Sequence, residues 1–252
     1  MVSVGSLYGL LVGQDILLFI LPAILIARWK SKQTAAWLQL SPVPQWLKRE
    51  HMWVAVLGMV VLQPGINLLA DLNSRISLPT FMADIELWMQ KMEEANAATT
   101  NLLLSGEEPW QILANFLVVG VLAAFSEELL FRGALQSWFR EHMSRTMAIW
   151  VVAILFSLMH LQFYGFIPRM LMGALFGYTL VWTGFLYVPM VLHMTNNVLV
   201  VLLSFLVRNN EGAKASVEAF GTGDTWGIGL ISLVVGCWLF YRFYQICKKY
   251  RA

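Results

Sequence analysis

Charge is what this 252-residue chain has least of: 13% of its residues are Asp, Glu, Lys or Arg, against 58% hydrophobic. That balance excludes an ordinary soluble domain of this size and points to a polytopic membrane protein. The net charge is only +2, and the basic residues flank apolar runs without forming a patch, which argues against a nucleic-acid partner. Cysteine is almost absent. Cys237 and Cys247 fall on one expected helix about 15 Å apart, too far to bridge each other, and neither forms a metal motif. There is no His-Glu-x-x-His sequence, and only four histidines occur in all. No Lys or Arg precedes the first apolar run, which therefore lacks the charged start of a signal peptide. Internal repeats, low-complexity segments and Gly/Ser linkers are also missing. Without repeated halves, a transporter is disfavoured.

What is present is a series of apolar runs. Seven spans of roughly 20 residues are expected, near 6–27, 52–70, 111–139, 146–164, 166–183, 187–207 and 226–246. The fold class is thus all-α, a transmembrane helix bundle. Trp29, Trp53, Trp110, Trp138, Trp150, Trp182 and Trp226 mark span ends, where amphipathic indole prefers the interface. Arg28, Lys30, Lys32, Lys48, Arg49, Arg140, Arg145, Arg242, Lys248, Lys249 and Arg251 fall on one side of a seven-span chain. Arg75, Lys91, Arg169, Arg208 and Lys214 fall on the other. The excess places the first side in the cytoplasm, with the N-terminus outside and the C-terminus inside.

The longest loop, 71–110, is acidic: Asp71, Asp84, Glu86, Glu93, Glu94, Glu107 and Glu108. Met82, Ile85, Met89 and Met92 repeat at three and four, which predicts an extramembrane amphipathic helix near 80–99, opened by Pro79 and Thr80. It either packs on the bundle or bilayer surface or covers the site as a lid. Three segments follow: two N-terminal spans with the acidic loop (1–110), a polar-centred core (111–207), and a loop, last span and basic tail (208–252).

The third span carries Glu127, Glu128 and Arg132. Each charge at a helix centre costs about 3 kcal/mol of insertion, while each apolar residue returns about 0.3–0.6. Such a helix is marginal in lipid unless its charges pair or face a wet cavity. Glu128 and Arg132 are four apart and share a face, whereas Glu127 is turned by about 100°. Arg132 is therefore expected to neutralise Glu128 and leave Glu127 for chemistry; a purely structural knot of three charges is the bland alternative. The fourth span carries Phe156 and His160 one turn apart, and the sixth carries His193 and Asn197 on one face. Singly, these read as satisfied core or interhelical hydrogen-bonding residues. Together, two intramembrane histidines and a glutamate pair on neighbouring spans suggest one buried polar centre. His193 and Asn197 carry N–H donors suited to a developing oxyanion. Gly173 and Gly177 read as a close-packing motif without chemistry. Asp15 is an intramembrane acid with no partner legible in the sequence; near the outer surface it would need none.

Glu127-Glu128-xxx-Arg132, Phe156-xxx-His160 and His193-xxx-Asn197 together resemble the CAAX protease and bacteriocin-processing (CPBP, or Abi) family, which includes the type II CAAX prenyl endopeptidases. All three motifs occur in order, over about 111–207. The resemblance implies an intramembrane glutamate endopeptidase. It assigns Glu127 and His160 to water activation and His193 and Asn197 to the oxyanion. Glu128, Arg132 and Phe156 become supports of the site. It implies no cofactor, and it implies a membrane-associated protein or peptide as substrate.

Two other functions stay open at this point. One is a zinc-dependent membrane metalloprotease using Glu127, His160 and His193 as ligands, with water at the open position. The other is a non-catalytic scaffold or regulator on a protease-like fold. Short loops suit a bacterial plasma (inner) membrane, where prenylated proteins are improbable substrates.

Overall fold

The computed structural model describes residues 3–42, 47, 50–106 and 108–251, without the side chains of residues 50 and 251. Lys48, Arg49, Glu107 and the Arg251 side chain, used in the charge reading above, lie outside the described residues. Among those described, every regular element is helical. The chain forms α1 (Val4–Lys30), α2 (His51–Ser74), α3 (Ala83–Leu104), α4 (Pro109–Phe139), α5 (Arg145–Met159), α6 (Phe166–Thr183), α7 (Tyr187–Val207), α8 (Glu211–Glu218) and α9 (Trp226–Arg251).

All seven expected spans are helices, but they are not equally suited to crossing. Five are long and apolar enough by length and composition: α1, α2, α4, α7 and the helix at Gly223–Tyr250. α5 is apolar but has only 15 residues, about 22 Å of helix against about 30 Å of hydrocarbon. α6, with 18 residues, is outside the five; Arg169 and Pro168 in its first turn lower its apolarity. The expected amphipathic helix is α3, preceded by a single tight turn at Thr80–Met82. Of its apolar stripe, Met82, Met89 and Met92 are half-buried while Ile85 stays exposed.

Local sequence explains the ends. Pro109 opens α4 behind a reciprocal Glu108–Gln111 cap, Ser144 accepts from the Met147 amide to open α5, and Gly184 closes α6 at φ 79. α2 bends at Leu62, where Pro64 has no amide to give. There a hydroxyl from α9 enters the helical ladder. Ser232 Oγ donates to Val61 O at 2.6 Å and accepts from Gly65 N at 2.9 Å, bracing the kink.

α4 lies at the centre. α1 packs along it, α7 crosses its first half, α6 lies against its second half, and α5 pairs with α6. α9 runs along α2 on the other side of α7. One apolar cluster joins Ala23 and Ala27 of α1 to Leu129, Phe131 and Ala134 of α4 and Phe156 of α5. A second joins Met59, Phe176, Leu192, Phe240 and Phe243. Leu10, Leu17, Leu117, Leu206, Ile231 and Val234 point outward and are exposed, as lipid-facing positions of a spanning bundle must be. Lys30 and Glu141 form an ion pair, so the ends of α1 and α4 meet at one face of the bundle.

Candidate active site

The glutamate pair sits in a short α-helical stretch, Ala123–Glu128, between two wider π-helical stretches, Asn115–Leu122 and Leu129–Gln136. Such stretches break the ordinary ladder of a helix and are frequent at functional sites. Glu128 and Arg132 are both fully buried. Arg132 Nη1 donates to Glu128 Oε1 at 2.8 Å, and Nη2 donates to Gly173 O at 3.1 Å. Its guanidinium lies 4.3 Å from the Phe156 ring centre, with Phe176 at 5.5 Å and Phe131 at 5.8 Å, a geometry favourable to a cation. One turn on, Gln136 Nε2 donates to Gly177 O. Gly173 and Gly177 thus do more than pack: they give the α4 side chains access to the α6 backbone.

Glu128 also holds His193. The Nδ1 of His193 lies 2.9 Å from Glu128 Oε1, and its ring stacks on Phe176 at 5.1 Å. Because that oxygen already accepts from Arg132, Nδ1 is assigned the hydrogen. The other ring nitrogen, Nε2, then faces Glu127 Oε2 at 3.8 Å.

His160 is held in the same sense. It caps the end of α5, where Leu161 at φ 50 turns the chain out of the helix, a strained conformation for leucine. Nδ1 of His160 lies 2.8 Å from Phe156 O. A carbonyl only accepts, so Nδ1 carries the hydrogen here too, and Nε2 faces Glu127 Oε2 at 3.9 Å. Both gaps are longer than a direct hydrogen bond, and Glu127 Oε2 is buried without a hydrogen-bond partner among the described residues. The His160 side chain is 28% exposed and Glu127 15%, so the cluster opens on the His160 side. There α3 arches over it: Asn96 Nδ2 donates to His160 O and Glu93 accepts from Tyr164 N, each at 3.4 Å.

The structure therefore gathers Glu127, Glu128, Arg132, Phe156, His160 and His193. Phe156 touches Arg132, His160 and His193 at once. Asn197 is placed one turn along α7 from His193, but its hydrogen bonds go elsewhere, to Val119 O and Asn196. Among the described residues no group of three or more His, Cys, Asp and Glu is arranged to hold a metal ion.

Two residues outside the sequence reading, Gln136 and Gln63, belong to this neighbourhood, as does Asp15, which the sequence left without a partner. Asp15 is buried, contrary to a position at the surface, and has a partner: Ser126 Oγ donates to Asp15 Oδ1 at 2.8 Å. The cause is the packing of the α1 segment Asp15–Ile20 on Ala123–Glu128. Gln136 extends the Glu128–Arg132 row by one turn, a spacing visible in the sequence. Gln63 reaches the Asn196 side chain; a glutamine before proline inside an apolar span was its signal. A separate cleft of about 410 Å³, lined by Trp37, Gln39, Ser137, Arg140, Glu141 and Arg145, lies at the Lys30–Glu141 end of the bundle.

With this geometry in place, the comparison with known families is informative. Residues 109–199 match the sequence model of the type II CAAX prenyl endopeptidase Rce1-like family. That segment contains all seven motif residues, so the CAAX-protease resemblance holds over the core of the bundle, and it supports a CAAX-type intramembrane protease in general. α1, α2 and α9 are outside the match. No curated protein and no solved structure matches the chain.

Proposed function

We propose that the protein is an intramembrane endopeptidase that hydrolyses a peptide bond of a membrane-associated protein or peptide, with Glu127 and His160 activating the attacking water. The observation that carries this reading is the convergence on Glu127 Oε2 of two imidazole Nε2 atoms, at 3.8 and 3.9 Å. A water among three such atoms can donate to two of them and keep a lone pair for the carbonyl carbon. As the C–O bond forms, its proton passes to Glu127. As the C–N bond breaks, that proton passes to the leaving amine. The scissile carbonyl becomes an oxyanion, for which His193 and Asn197 on α7 are the donors. For His193 this role requires a hydrogen on Nε2 while Nδ1–H stays on Glu128. Glu128 and Arg132 orient His193 and do not exchange protons with substrate. Its site is then a bacterial plasma (inner) membrane, with the N-terminus outside and α4 entering from that side.

The test compares protein N-termini in membranes from cells expressing the native chain or Glu127→Gln at equal levels. New termini that depend on Glu127 support the protease and identify its substrates. Identical termini, with Glu127→Gln still complementing a deletion, replace it with a non-catalytic scaffold. Activity lost on chelation and restored by zinc replaces the metal-free mechanism.

A further inference from the structure

We propose that Gln63, on α2 and outside the family-matched segment, is a positioning residue that acts together with Val119 O to hold one end of the Asn197 side-chain amide toward the reaction. This rests on the reading of Asn197 as an oxyanion donor. A primary amide has one accepting oxygen and one nitrogen with two hydrogens. It stabilises an oxyanion only if the nitrogen is the end turned inward, and a half-turn about its last bond would present the oxygen.

Three amides in a row settle this. Gln63 Nε2 donates to Met59 O at 3.3 Å and to Asn196 Oδ1 at 3.1 Å. Asn196 Nδ2 donates to Asn197 Oδ1 at 3.2 Å. Asn197 Nδ2 donates to Val119 O at 3.1 Å. Both ends of the row are backbone carbonyls, which only accept. With both ends fixed, one setting of the three amides satisfies every contact. Turning Gln63 over sets oxygen against oxygen at both of its contacts, and turning Asn196 or Asn197 over sets oxygen against oxygen at one contact and nitrogen against nitrogen at the other. In the observed setting Asn197 Oδ1 is occupied, one N–H is spent on Val119, and one N–H is left over. Val119 O anchors the row at one end and Gln63 at the other; an acceptor in place of the Gln63 amino group favours the opposite setting of Asn196 and, through it, of Asn197.

The backbone explains how a residue of the second span comes to do this. Pro64 interrupts the α2 ladder and Ser232 of α9 holds the opened turn in place. The bend sets Gln63 against α7. α2 and α9 thereby act on the site although neither contributes a side chain to the Glu127 cluster.

The experiment uses the full chain and a peptide spanning a Glu127-dependent cleavage junction. Gln63→Glu keeps the size and replaces the donor with an acceptor. Gln63→Met keeps the length and removes both. The expected result is a kcat at least about tenfold lower for each, with KM unchanged, against the hundredfold or greater loss typical of deleting an oxyanion donor. The loss should vanish in an Asn197→Ala background, because the two residues act as one unit. A crystal structure of Gln63→Glu should show Asn197 Nδ2 moved beyond 3.5 Å from Val119 O. Native kcat in both variants overturns the proposal, as does an equal fractional loss with and without Asn197, which marks Gln63 as packing only. If Asn197→Ala itself cleaves at the native rate, the oxyanion reading fails. An unchanged Asn197–Val119 contact in Gln63→Glu overturns the relay independently of activity.

Discussion

His193 Nδ1 lies 2.9 Å from Glu128 Oε1, so the second glutamate of the pair binds α4 to the helix that carries Asn197. The two adjacent carboxylates thereby separate into different kinds of residue. Glu128 is closed off among Arg132 and His193; Glu127 is turned to the His160 side with an oxygen that no donor among the described residues occupies.

That separation predicts opposite phenotypes for the same substitution. Glu128→Gln removes the carboxylate paired with a fully buried guanidinium, and breaking a buried pair on one side costs about 3–5 kcal/mol. Its melting temperature in detergent should drop sharply. Glu127→Gln should melt like the native chain and lose about 10²-fold or more of its cleavage, the usual contribution of a positioned base.

The small residues of α6 are expected to be intolerant of a methyl group. A Cβ at Gly173 would sit 3.0 Å from Arg132 Nη2 and 3.2 Å from Phe156 Cδ1; at Gly177, 2.7 Å from Gln136 Oε1 and 3.0 Å from Ile149 Cγ2. Gly173→Ala and Gly177→Ala should each cost about 1–3 kcal/mol by overpacking, with Gly173→Ala also lowering cleavage through Arg132. Gly9→Ala, where nothing lies within 4 Å, is the control and should melt no lower than the native chain.

Ser126→Ala should destabilise the bundle more than the loss of one hydroxyl suggests. It strips Asp15 of its hydrogen bond while leaving the carboxyl buried, a cost of about 1–3 kcal/mol. Asp15→Asn retains an oxygen that accepts the same bond and should be tolerated. Thermal unfolding of the two variants side by side decides this.

At the other end of the bundle the expected behaviour is acid sensitivity. The Lys30 ammonium beside Glu141, helped by Trp37 Nε1, holds the Glu141 carboxyl below its ordinary range. A depressed folded value means that the contribution is complete above the ordinary carboxylate range and fades as pH falls through the lowered one. The difference in melting temperature between the native chain and Glu141→Gln should therefore be largest near neutrality and shrink as pH falls below about 4.

Much of this architecture was readable along the chain because it is local. The span sequence follows from apolar runs, and the Glu128–Arg132 pair from a spacing of four. The divergence of Glu127 follows from the turn of a helix. What the sequence withheld is contact between distant helices. Nothing along α7 states that His193 turns Nδ1 to Glu128, and nothing along α1 states that Asp15 meets Ser126. The π-helical stretches flanking the glutamates are also invisible, since runs such as Val118-Val119-Gly120 suit an α-helix equally well. The shortness of α5 was hidden for a related reason: apolar residues continue past His160 into Leu161 and Phe163, and only the backbone turn at Leu161 ends the helix.

The order in which the chain is made gives the two carboxylates different histories. Arg132 follows Glu128 by 4 residues and His193 by 65. Glu128 can find its cation within a single nascent helix, at almost no loop-closure cost. Glu127 meets its histidines only after α5 and then α7 have been synthesised and docked. The helix therefore enters the bilayer with Glu128 already neutralised and Glu127 still alone. In the proposed mechanism, hydrolytic capacity would then arrive only as a late product of assembly.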